Sequence, residues 1–492
     1  MVDGKRTIPA QWSRTSKSGV IEIVPGTLVI SDQSPTHVIH LTREFASDDS
    51  PALGFHTGFT EVDFFPVLHG QTEDGLFTAI DSRVVGGSQN YGGGKLSDIV
   101  LHPYLMIRGS VTLNEHELAL TSVRLRFWDQ DEWAQWYNLN IKNASKDDET
   151  VVIEQVPPPS KSSTLDGVQV AIRDNSSTSY HPIGHGRILI NQTSVFRLEF
   201  DEEIPLREFL EKWMAPLSFW VSSGSRRTSG IEFMSIQNRN WTNDRDATPV
   251  TSWLSVITRN PKRKFTSEDK IQFLHRLNDF DFERQLPILL STFTAHRTAL
   301  DQYLDYLHTK PGTPMVQLTV LAQLVETFDR SLDPDPLLDD DTRADAQALA
   351  DYVASNAALK KHARDAKRAA LESIRPNLAS RLRRLDDATD KIVGEMLGAV
   401  DWKSSVASIR NSIVHGLPSS AFFLTNVIPI QISVDILELL FELRLLLALG
   451  FSKDEARKIM TVDDPRWAGK TYNMKTYLSS FEDFKQYKPE DS

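Results

Sequence analysis

The sequence has no cysteine among its 492 residues. This absence excludes disulfide bonds and zinc sites built on thiolates, and it is compatible with the reducing environment of a cytoplasm. The opening stretch, MVDGKRTIPAQW, also lacks the apolar segment that a secretory signal needs. Together these absences favour a cytoplasmic protein.

Long uncharged apolar runs are missing as well. The most apolar stretch, Val427 to Leu449, carries four charged residues in its most apolar part: Asp435, Glu438, Glu442 and Arg444. Charges at that density predict a buried helix rather than a membrane span, so no membrane partner is expected. The formal net charge of −12 disfavours non-specific adhesion to nucleic acid. Any contact with RNA therefore requires a local basic patch.

Glycine is scarce in the second half, because eighteen of the 24 glycines lie before residue 251. In the first half, short alternating or β-branched runs recur between turn signals, and one helix, Pro205 to Trp220, interrupts them. Pro25 and Gly26 separate the first two runs, Val20 to Val24 and Thr27 to Ile30, and predict a hairpin turn. We therefore expect residues 1–250 to form an antiparallel β domain of sandwich or barrel type.

From residue 251 onward the apolar residues recur with a helical period. Residues 251–312 are expected to be a helical connector, and residues 313–492 a helical bundle. Thr313 and Pro314 suit the N-cap and first turn of a helix that runs to Leu332. Further helices are predicted at Ala379 to Leu397 and Trp402 to Val414. The fold class is thus α+β and multidomain, with a β-rich region followed by an all-α bundle.

The stretch SIRNSIVHGLP, residues 408–418, carries the candidate chemistry. Gly416 followed by Pro418 marks a helix C-terminus, because glycine accepts the left-handed cap and proline cannot continue the helix. The imidazole of His415 can accept a 2′-hydroxyl proton or protonate a leaving 5′-oxygen. The Arg410 guanidinium can clamp the phosphate, and Asn411 can orient the phosphate or the ribose. This set predicts metal-free RNA cleavage that leaves 2′,3′-cyclic phosphate and 5′-hydroxyl ends.

His415 lies five positions after Arg410, which places the two side chains about 140° apart around an ideal helix. They converge on one site only if the last turn unwinds near His415 or if a second copy of the motif faces the first across a dimer axis. The alternative is a structural role. A histidine at a helix C-terminus commonly interacts with the helix dipole, and an arginine one turn earlier is commonly solvated.

This pattern resembles the RxxxxH signature of HEPN ribonucleases, in its RNxxxH form. Among the thirteen histidines, only His415 has an arginine four to seven residues ahead of it. The long helices before the motif, its HG ending and the apolar helix after it are similar to the HEPN domain of ApeA-like abortive-infection proteins. The β-rich first half also resembles the N-terminal region of those proteins in its order and pattern.

The resemblance implies an anti-phage endoribonuclease of the bacterial cytoplasm, controlled by its N-terminal domain. It implies neither a cofactor nor a metal site, and a phage protein becomes the candidate trigger at the N-terminal domain. One motif per chain further implies a homodimer through the HEPN domain. Transfer RNA is the first substrate to test.

Two further sets of residues are candidates for supporting roles. Glu326, on the helix predicted from residue 313, could orient the Arg410 guanidinium, and a solvated surface acid is the alternative. Residues 356–384 hold nine basic and two acidic residues. That asymmetry predicts an RNA-backbone contact or, alternatively, an ordinary solvated helix face. The predicted RNA-binding residues are Lys360, Lys361, Arg364, Lys367, Arg368, Arg381 and Arg384.

The main alternative function is a non-catalytic module. Its helical domain would dimerise or bind a ligand, while its β domain would recognise a phage or cellular partner. Binding alone requires neither a titrating imidazole nor its pairing with a phosphate clamp, so the pair Arg410 and His415 discriminates between the two functions.

Overall fold

The computed structural model describes most of the chain in two compact units. The described residues are 5–15, 19–31, 37–43, 45, 64–89, 96–109, 113, 118–136, 139–143, 151–155, 160–181, 187–242, 249–250, 252–257, 273–334, 340–356, 359, 362, 376–398, 400–460 and 465–487. The first unit comprises Met1–Val221, Ser229–Lys270 and Arg276–Leu286. The second comprises Ser222–Thr228, Ile271–His275 and Pro287–Ser492.

Strands dominate the first unit. They are β1 (Lys5–Thr15), β2 (Ile21–Ser31), β3 (Val38–Arg43), β4 (Phe64–Thr72), β5 (Gly75–Gln89), β6 (Leu96–His102), β7 (Leu105–Gly109), β8 (Ala119–Phe127), β9 (Leu139–Asn143), β10 (Val151–Gln155), β11 (Lys161–Leu165), β12 (Val168–Asp174), β13 (Ser177–His181), β14 (Arg187–Asn191), β15 (Ser194–Pro205), β16 (Ile231–Gln237) and β17 (Leu254–Ile257). The predicted β-rich first half is therefore confirmed.

Six of these strands close into an antiparallel barrel. The order is β5-β4-β1-β2-β3-β6, and β6 pairs again with β5 to complete the ring. Closure leaves no open edge among the six strands, and their inward-facing residues fill the interior. Trp12, Leu28 and Phe77 are among the residues buried there. The barrel alternative of the sequence prediction is the one that the structure adopts.

Pro25 and Gly26 do not form the predicted turn. Both lie inside β2, paired with Gln11 and Ala10 of β1. A Cβ atom at Gly26 would stand 2.1 Å from the carbonyl oxygen of His40, so this position requires glycine for close strand approach. Glycine suits both a tight turn and a close approach of two strands. Only the position of the neighbouring strand distinguishes the two cases.

The remaining strands of the large sheet extend from β5 as an open wing. Their order is β7-β17-β16-β8-β15-β12-β11. One face of the wing is apolar and packs against aromatic residues of short helices: α1 (Gln130–Ala134), α2 (Leu206–Phe209) and α3 (Ala215–Ser225), with a π-helical turn (Leu210–Met214) between the last two. Phe200 of β15, for example, contacts Phe209 and Trp213 edge-on. The opposite face of the wing carries polar and charged residues.

The second unit is helical, as predicted. Its helices are α4 (Phe282–Thr309), α5 (Pro314–Leu332), α6 (Asp340–Ser355), α7 (Leu378–Ala388), α8 (Ile392–Leu397), α9 (Trp402–Val414), α10 (Ile428–Ala448), α11 (Lys453–Lys458), α12 (Pro465–Tyr477) and α13 (Ser479–Gln486). The first turn of α4 lies in the first unit. A 3₁₀ helix (Pro418–Leu424) connects α9 to α10. Among the described residues, no helix has the length and hydropathy needed to cross a bilayer.

Helix α10 occupies the centre of the bundle. Its residues are buried on nearly all sides, as its apolar composition predicted, and it packs against α5, α9 and α12. Its buried Glu442 accepts hydrogen bonds from Nε and Nη2 of Arg226, at 2.9 and 2.8 Å. Arg226 belongs to the segment Ser222–Thr228, which comes from the first half of the sequence but forms part of the helical unit.

Two helical predictions need correction. Residues 251–312 were expected to be a helical connector, yet Leu254–Ile257 form β17 because their side chains alternate between buried and exposed positions on the wing. The helix expected from Ala379 to Leu397 is broken into α7 and α8. Asp390 and Lys391 adopt positive φ angles at the break. Neither residue type requires that conformation, so the sequence does not indicate the break.

Candidate functional site

Helix α9 carries the motif and is anchored at its N-terminal end. The carboxylate of Asp401 caps the helix by accepting a hydrogen bond from the backbone N–H of Ser404, at 3.3 Å. Trp402, Val406 and Ile409 are buried along one face and hold the helix in the bundle. Both ends of α9 coincide with the sequence prediction.

The C-terminal end of α9 is a Schellman motif. His415 is the C-cap residue, and Gly416 follows with a φ of +57°. The N–H of Gly416 bonds to the carbonyl of Ile413, and that of Leu417 to the carbonyl of Ser412, at 3.3 and 3.0 Å. The predicted glycine cap is confirmed, and it fixes the backbone from which His415 projects.

Ser412 strengthens this helix end with its side chain. The Ser412 hydroxyl donates to the carbonyl of Ser408 at 2.9 Å and shares a hydrogen bond with the hydroxyl of Ser419 at 2.8 Å. Ser419 lies in the first turn of the 3₁₀ helix. The chain is therefore held on both sides of His415, at Ser412 and at Ser419.

Arg410 lies half-buried between α9 and α5. Its Nη2 is 3.8 Å from a carboxylate oxygen of Glu326 on α5, and its Nη1 donates to Oδ1 of Asn411 at 3.1 Å. Its Nε is buried and has no hydrogen-bond partner among the described residues. The guanidinium thus keeps donors that its protein partners do not use.

Asn411 and His415 lie one turn apart on the exposed side of α9. The side chain of His415 makes no hydrogen bond or ion pair with any residue that the structure describes. The structure therefore brings Arg410, Asn411 and Glu326 into one connected group and leaves His415 open to solvent beside it. Asn411 is the member that reaches from the half-buried arginine to the exposed side.

Glu326 is the one supporting residue whose predicted neighbour is observed. It also stands 3.6 Å from Arg330 one turn along α5, so its carboxylate serves two guanidiniums. The distances from Glu326 to Arg410 and to Arg330 are both longer than hydrogen bonds, so Glu326 interacts with the two guanidiniums by charge rather than by hydrogen bonding. Its part in catalysis stays a prediction.

The predicted basic series divides into two parts. Lys360, Lys361, Arg364, Lys367 and Arg368 lie outside the described residues. Arg381 and Arg384, on α7, bind the buried carboxylate of Asp329 on α5. Arg381 is only 2% exposed, and its Nη1 donates to Asp329 at 2.9 Å.

The RNA-binding prediction is therefore corrected at Arg381, because a buried guanidinium that neutralises a buried acid has no surface to offer a phosphate. Arg384 is partly exposed but is paired with both Asp329 and Asp333. Sequence reasoning missed Asp329. The signal that indicates a buried role for Asp329 is its position on the same helical face as Leu321, Val325 and Phe328, which form the core stripe of α5.

A group of exposed large apolar side chains, here called the exposed apolar patch, lies next to the motif in the sequence. It consists of large side chains from the end of α9 to the start of α10, and the most exposed of them, Leu424, is 82% accessible. The members of this patch are Val414, Leu417, Leu424, Val427 and Ile428. Clusters of exposed apolar side chains of this kind are typical of protein interaction surfaces.

Two family models match the chain. The model for ApeA N-terminal domain 1 matches residues 13–218, and the model for the Apea-like HEPN domain matches residues 320–455. Arg410, Asn411, His415 and Glu326 all lie within the second match. Comparisons with curated proteins and with solved structures gave no match.

Proposed function

Because this chain is an ApeA-like protein with a C-terminal HEPN domain, a domain of an anti-phage nuclease family, we propose that it is a metal-independent endoribonuclease of abortive infection. HEPN domains of this family are generally ribonucleases. The observation that carries the proposal is the group formed by Arg410 and Asn411 beside the exposed His415 at the capped end of α9.

The proposed reaction is a transesterification within RNA. The 2′-oxygen attacks the adjacent phosphorus and the bond from phosphorus to the 5′-oxygen breaks, which gives a 2′,3′-cyclic phosphate and a 5′-hydroxyl end. The 2′-hydroxyl proton leaves to one base, and the 5′-oxygen takes a proton from one acid. His415 serves as acid or base, Arg410 stabilises the charge on the phosphate, and Asn411 positions Arg410.

A homodimer would supply both proton-transfer groups. Each chain has one His415, so two motifs facing one cleft provide one imidazole as base and one as acid. The exposed apolar patch beside His415 supports this arrangement, since an interface at that patch would bring the two motifs together. Leu424→Glu is expected to give monomers in analytical ultracentrifugation and to lose cleavage.

A matched control for the dimer is Tyr352→Glu. Tyr352 is another highly exposed apolar side chain, but it lies on α6. The Tyr352→Glu substitution should leave both the dimer and the RNA cleavage activity unchanged. A Leu424→Glu protein that remains dimeric would exclude the patch as the dimer interface.

The direct test of activity uses full-length protein and total bacterial RNA in EDTA, with the product ends mapped. Wild-type protein should produce 2′,3′-cyclic phosphate ends, and His415→Ala and Arg410→Ala should not. The control is His308→Ala, which removes another exposed histidine near a helix C-terminus, that of α4. Wild-type rates in His415→Ala would exclude the catalytic assignment.

Substrate and control are finer parts of the same proposal. Transfer RNA is the proposed substrate, and a phage protein acting at the N-terminal domain is the proposed trigger in the bacterial cytoplasm. RNA contact by Lys360, Lys361, Arg364, Lys367 and Arg368 is proposed from their charge alone. If wild-type protein cleaves no RNA even after lysate from phage-infected cells is added, a non-catalytic dimerisation or binding module becomes the better assignment.

A further inference from the structure

The polar face of the wing carries a row of side chains that the strand register places side by side. Arg197 of β15 is directly opposite Arg124 of β8, and Arg124 is directly opposite Ser235 of β16. The row continues through Ser255 of β17 to Arg108 of β7. We refer to these five residues as the arginine row. Directly opposed side chains on one face have Cβ atoms about 5 Å apart.

The pair Arg197 and Arg124 is unfavourable in the absence of a ligand, because like charges directly across a ladder repel each other. Burial, and then the charge of Arg197, lower the pKa of Arg124. No carboxylate among the described residues pairs with Arg124, whose guanidinium instead lies over the ring of Trp253, at 4.2 Å. A planar guanidinium on an aromatic face is held in position while its N–H groups stay free at the edge.

Two further donors next to Arg124 also have no partner among the described residues. The hydroxyl of Ser235 is buried, with the residue only 3% exposed, and it makes no hydrogen bond. The Nε of Arg197 is buried and equally without a hydrogen bond, although its Nη2 pairs with Glu199 at 2.6 Å. Buried donors are normally satisfied, so these two groups, on the strands either side of Arg124, call for an acceptor.

We propose that the arginine row holds a phosphate-binding site, in which Arg124, Arg197 and Ser235 each donate to an oxygen of one phosphate group. Three donors from side chains on adjacent strands match the three free oxygens of a phosphate monoester, whereas a carboxylate has two. The positive charge of the two guanidiniums, partly offset by Glu199, suits a dianion. The site lies in the β unit, is independent of the ribonuclease assignment, and gives this unit a ligand of its own.

Arg108 is the matched control within the same row. It carries the same charge on the same face, but its Nη2 donates to the carbonyl of Asp74 at 3.1 Å, and it is exposed. Arg108→Gln therefore removes one charge from the row without removing a proposed ligand. Arg124→Gln removes the same charge from the proposed site.

The test is calorimetric titration of inorganic phosphate into the full-length protein carrying Arg410→Ala, so that the candidate ribonuclease site adds no second phosphate. We expect one phosphate per chain, unchanged by Arg108→Gln. Binding should be about tenfold weaker or worse with Arg124→Gln, as expected for loss of one charge-assisted bond. Ser235→Ala should weaken it by a smaller factor. Equal binding by all variants, or no binding by any, would overturn the proposal.

Thermal unfolding separates a ligand site from a merely structural cation–π pair. In phosphate-free buffer Arg124→Gln should have a Tm equal to or above that of its parent, because it relieves the repulsion from Arg197. In saturating phosphate its Tm should fall below the parent's. A Tm below the parent's in both buffers, or an equal rise of the parent's Tm in chloride of the same ionic strength, would contradict the site.

The source of the phosphate follows from a second titration with a nucleoside 5′-monophosphate. Tighter binding than inorganic phosphate, lost with Arg124→Gln, would identify a nucleotide as the ligand. Equal affinity would identify the phosphate group alone as the feature recognised. Dependence on Arg124 supports the proposal in either case, and its absence in both contradicts it.

Discussion

Arg410 donates a hydrogen bond from Nη1 to Oδ1 of its neighbour Asn411, at 3.1 Å. The bond links two sides of α9, since Arg410 is directed toward Glu326 on α5 while Asn411 is exposed. It answers in part how two residues about 140° apart on a helix can act together. Asn411 extends the reach of the guanidinium toward the side on which His415 lies.

Loss of this bond should impair catalysis without unfolding the protein. Hydrogen bonds to charged groups contribute about 1.5–3 kcal/mol, so Asn411→Ala is expected to lower kcat/KM about 10- to 100-fold. Its Tm should stay within error of the wild type, because Asn411 is exposed. Single-substrate RNA cleavage assays measure the effect, with the exposed Ser408→Ala on the same helix as control. Wild-type cleavage by Asn411→Ala would show that the bond has no part in positioning Arg410.

Arg381 should act on stability rather than on RNA affinity. Arg381→Ala removes a buried charge-assisted hydrogen bond to Asp329 and leaves Arg384 as the remaining partner of that carboxylate, so it should lower the free energy of unfolding by about 1.5–3 kcal/mol. Arg383, two residues along α7, is exposed, and Arg383→Ala should change it by less than about 0.5 kcal/mol. Urea unfolding of both variants provides the comparison. A stable Arg381→Ala protein with weakened RNA binding would restore the original prediction for this residue.

Gly416 should be needed for its backbone conformation alone. A Cβ atom at this position would meet no atom within 4 Å, but its φ of +57° is unfavourable for other residues. Gly416→Ala is therefore expected to cost about 1 kcal/mol in urea unfolding and to lower cleavage, since His415 is the adjoining cap residue. Gly416→Asn should cost less, because asparagine tolerates this conformation.

Gly312→Ala provides the control for that experiment. Its Cβ would also meet no atom within 4 Å, and Gly312 lacks a positive φ. It should be neutral or slightly stabilising. If both alanine variants lose stability equally, the left-handed cap is not the cause.

His275 should make the protein less stable as the pH falls. Burial and, to a smaller extent, the charge of Arg226 lower its pKa, and Glu442 opposes them, with a net result of about 3. In the unfolded chain the pKa is about 6.5, so below that pH the unfolded state takes up a proton that the folded state does not. The free energy of unfolding should therefore fall from about pH 6.5 downward, by up to about 1.4 kcal/mol per pH unit from this group.

Urea unfolding at a series of pH values between about 7 and 4 tests this dependence. The free energy of unfolding should decrease less steeply with falling pH in His275→Gln, and the difference in slope should correspond to the uptake of up to one proton on unfolding. His308→Gln should retain the wild-type slope because His308 is exposed. Parallel slopes for the wild type and His275→Gln would show that the imidazole is not held neutral in the fold.

Local signals were sufficient for the elements nearest the motif. Helix α5 begins at Pro314 and α9 ends before the glycine cap, as the sequence predicted, because Pro, Asp and Gly act on the backbone within a few residues. Helix α11 likewise begins with a local signal, a capping box formed by Ser452 and Glu455. None of these features depends on a distant partner.

Local sequence signals gave the wrong prediction where the role of a residue depends on a contact with a residue far away in the sequence. Pro25 and Gly26 have turn chemistry, but the carbonyl of His40 on a neighbouring strand is what requires the glycine. Arg381 belongs to a basic series by composition, yet Asp329 on another helix makes it a buried structural residue. In both cases the sequence identifies the residue type but does not identify the distant residue that it contacts.

By itself the sequence determined the division into a β-rich and a helical half, the position of the motif at a helix end and the chemistry that its side chains offer. It did so because strand and helix periods, caps and residue types are short-range properties of the chain. Only the tertiary structure decided that six strands close into a barrel, that Ser222–Thr228 joins the helical unit, and that Arg124, Arg197 and Ser235 form one row. Each of these depends on strand register or packing between residues far apart in sequence, which no local pattern encodes.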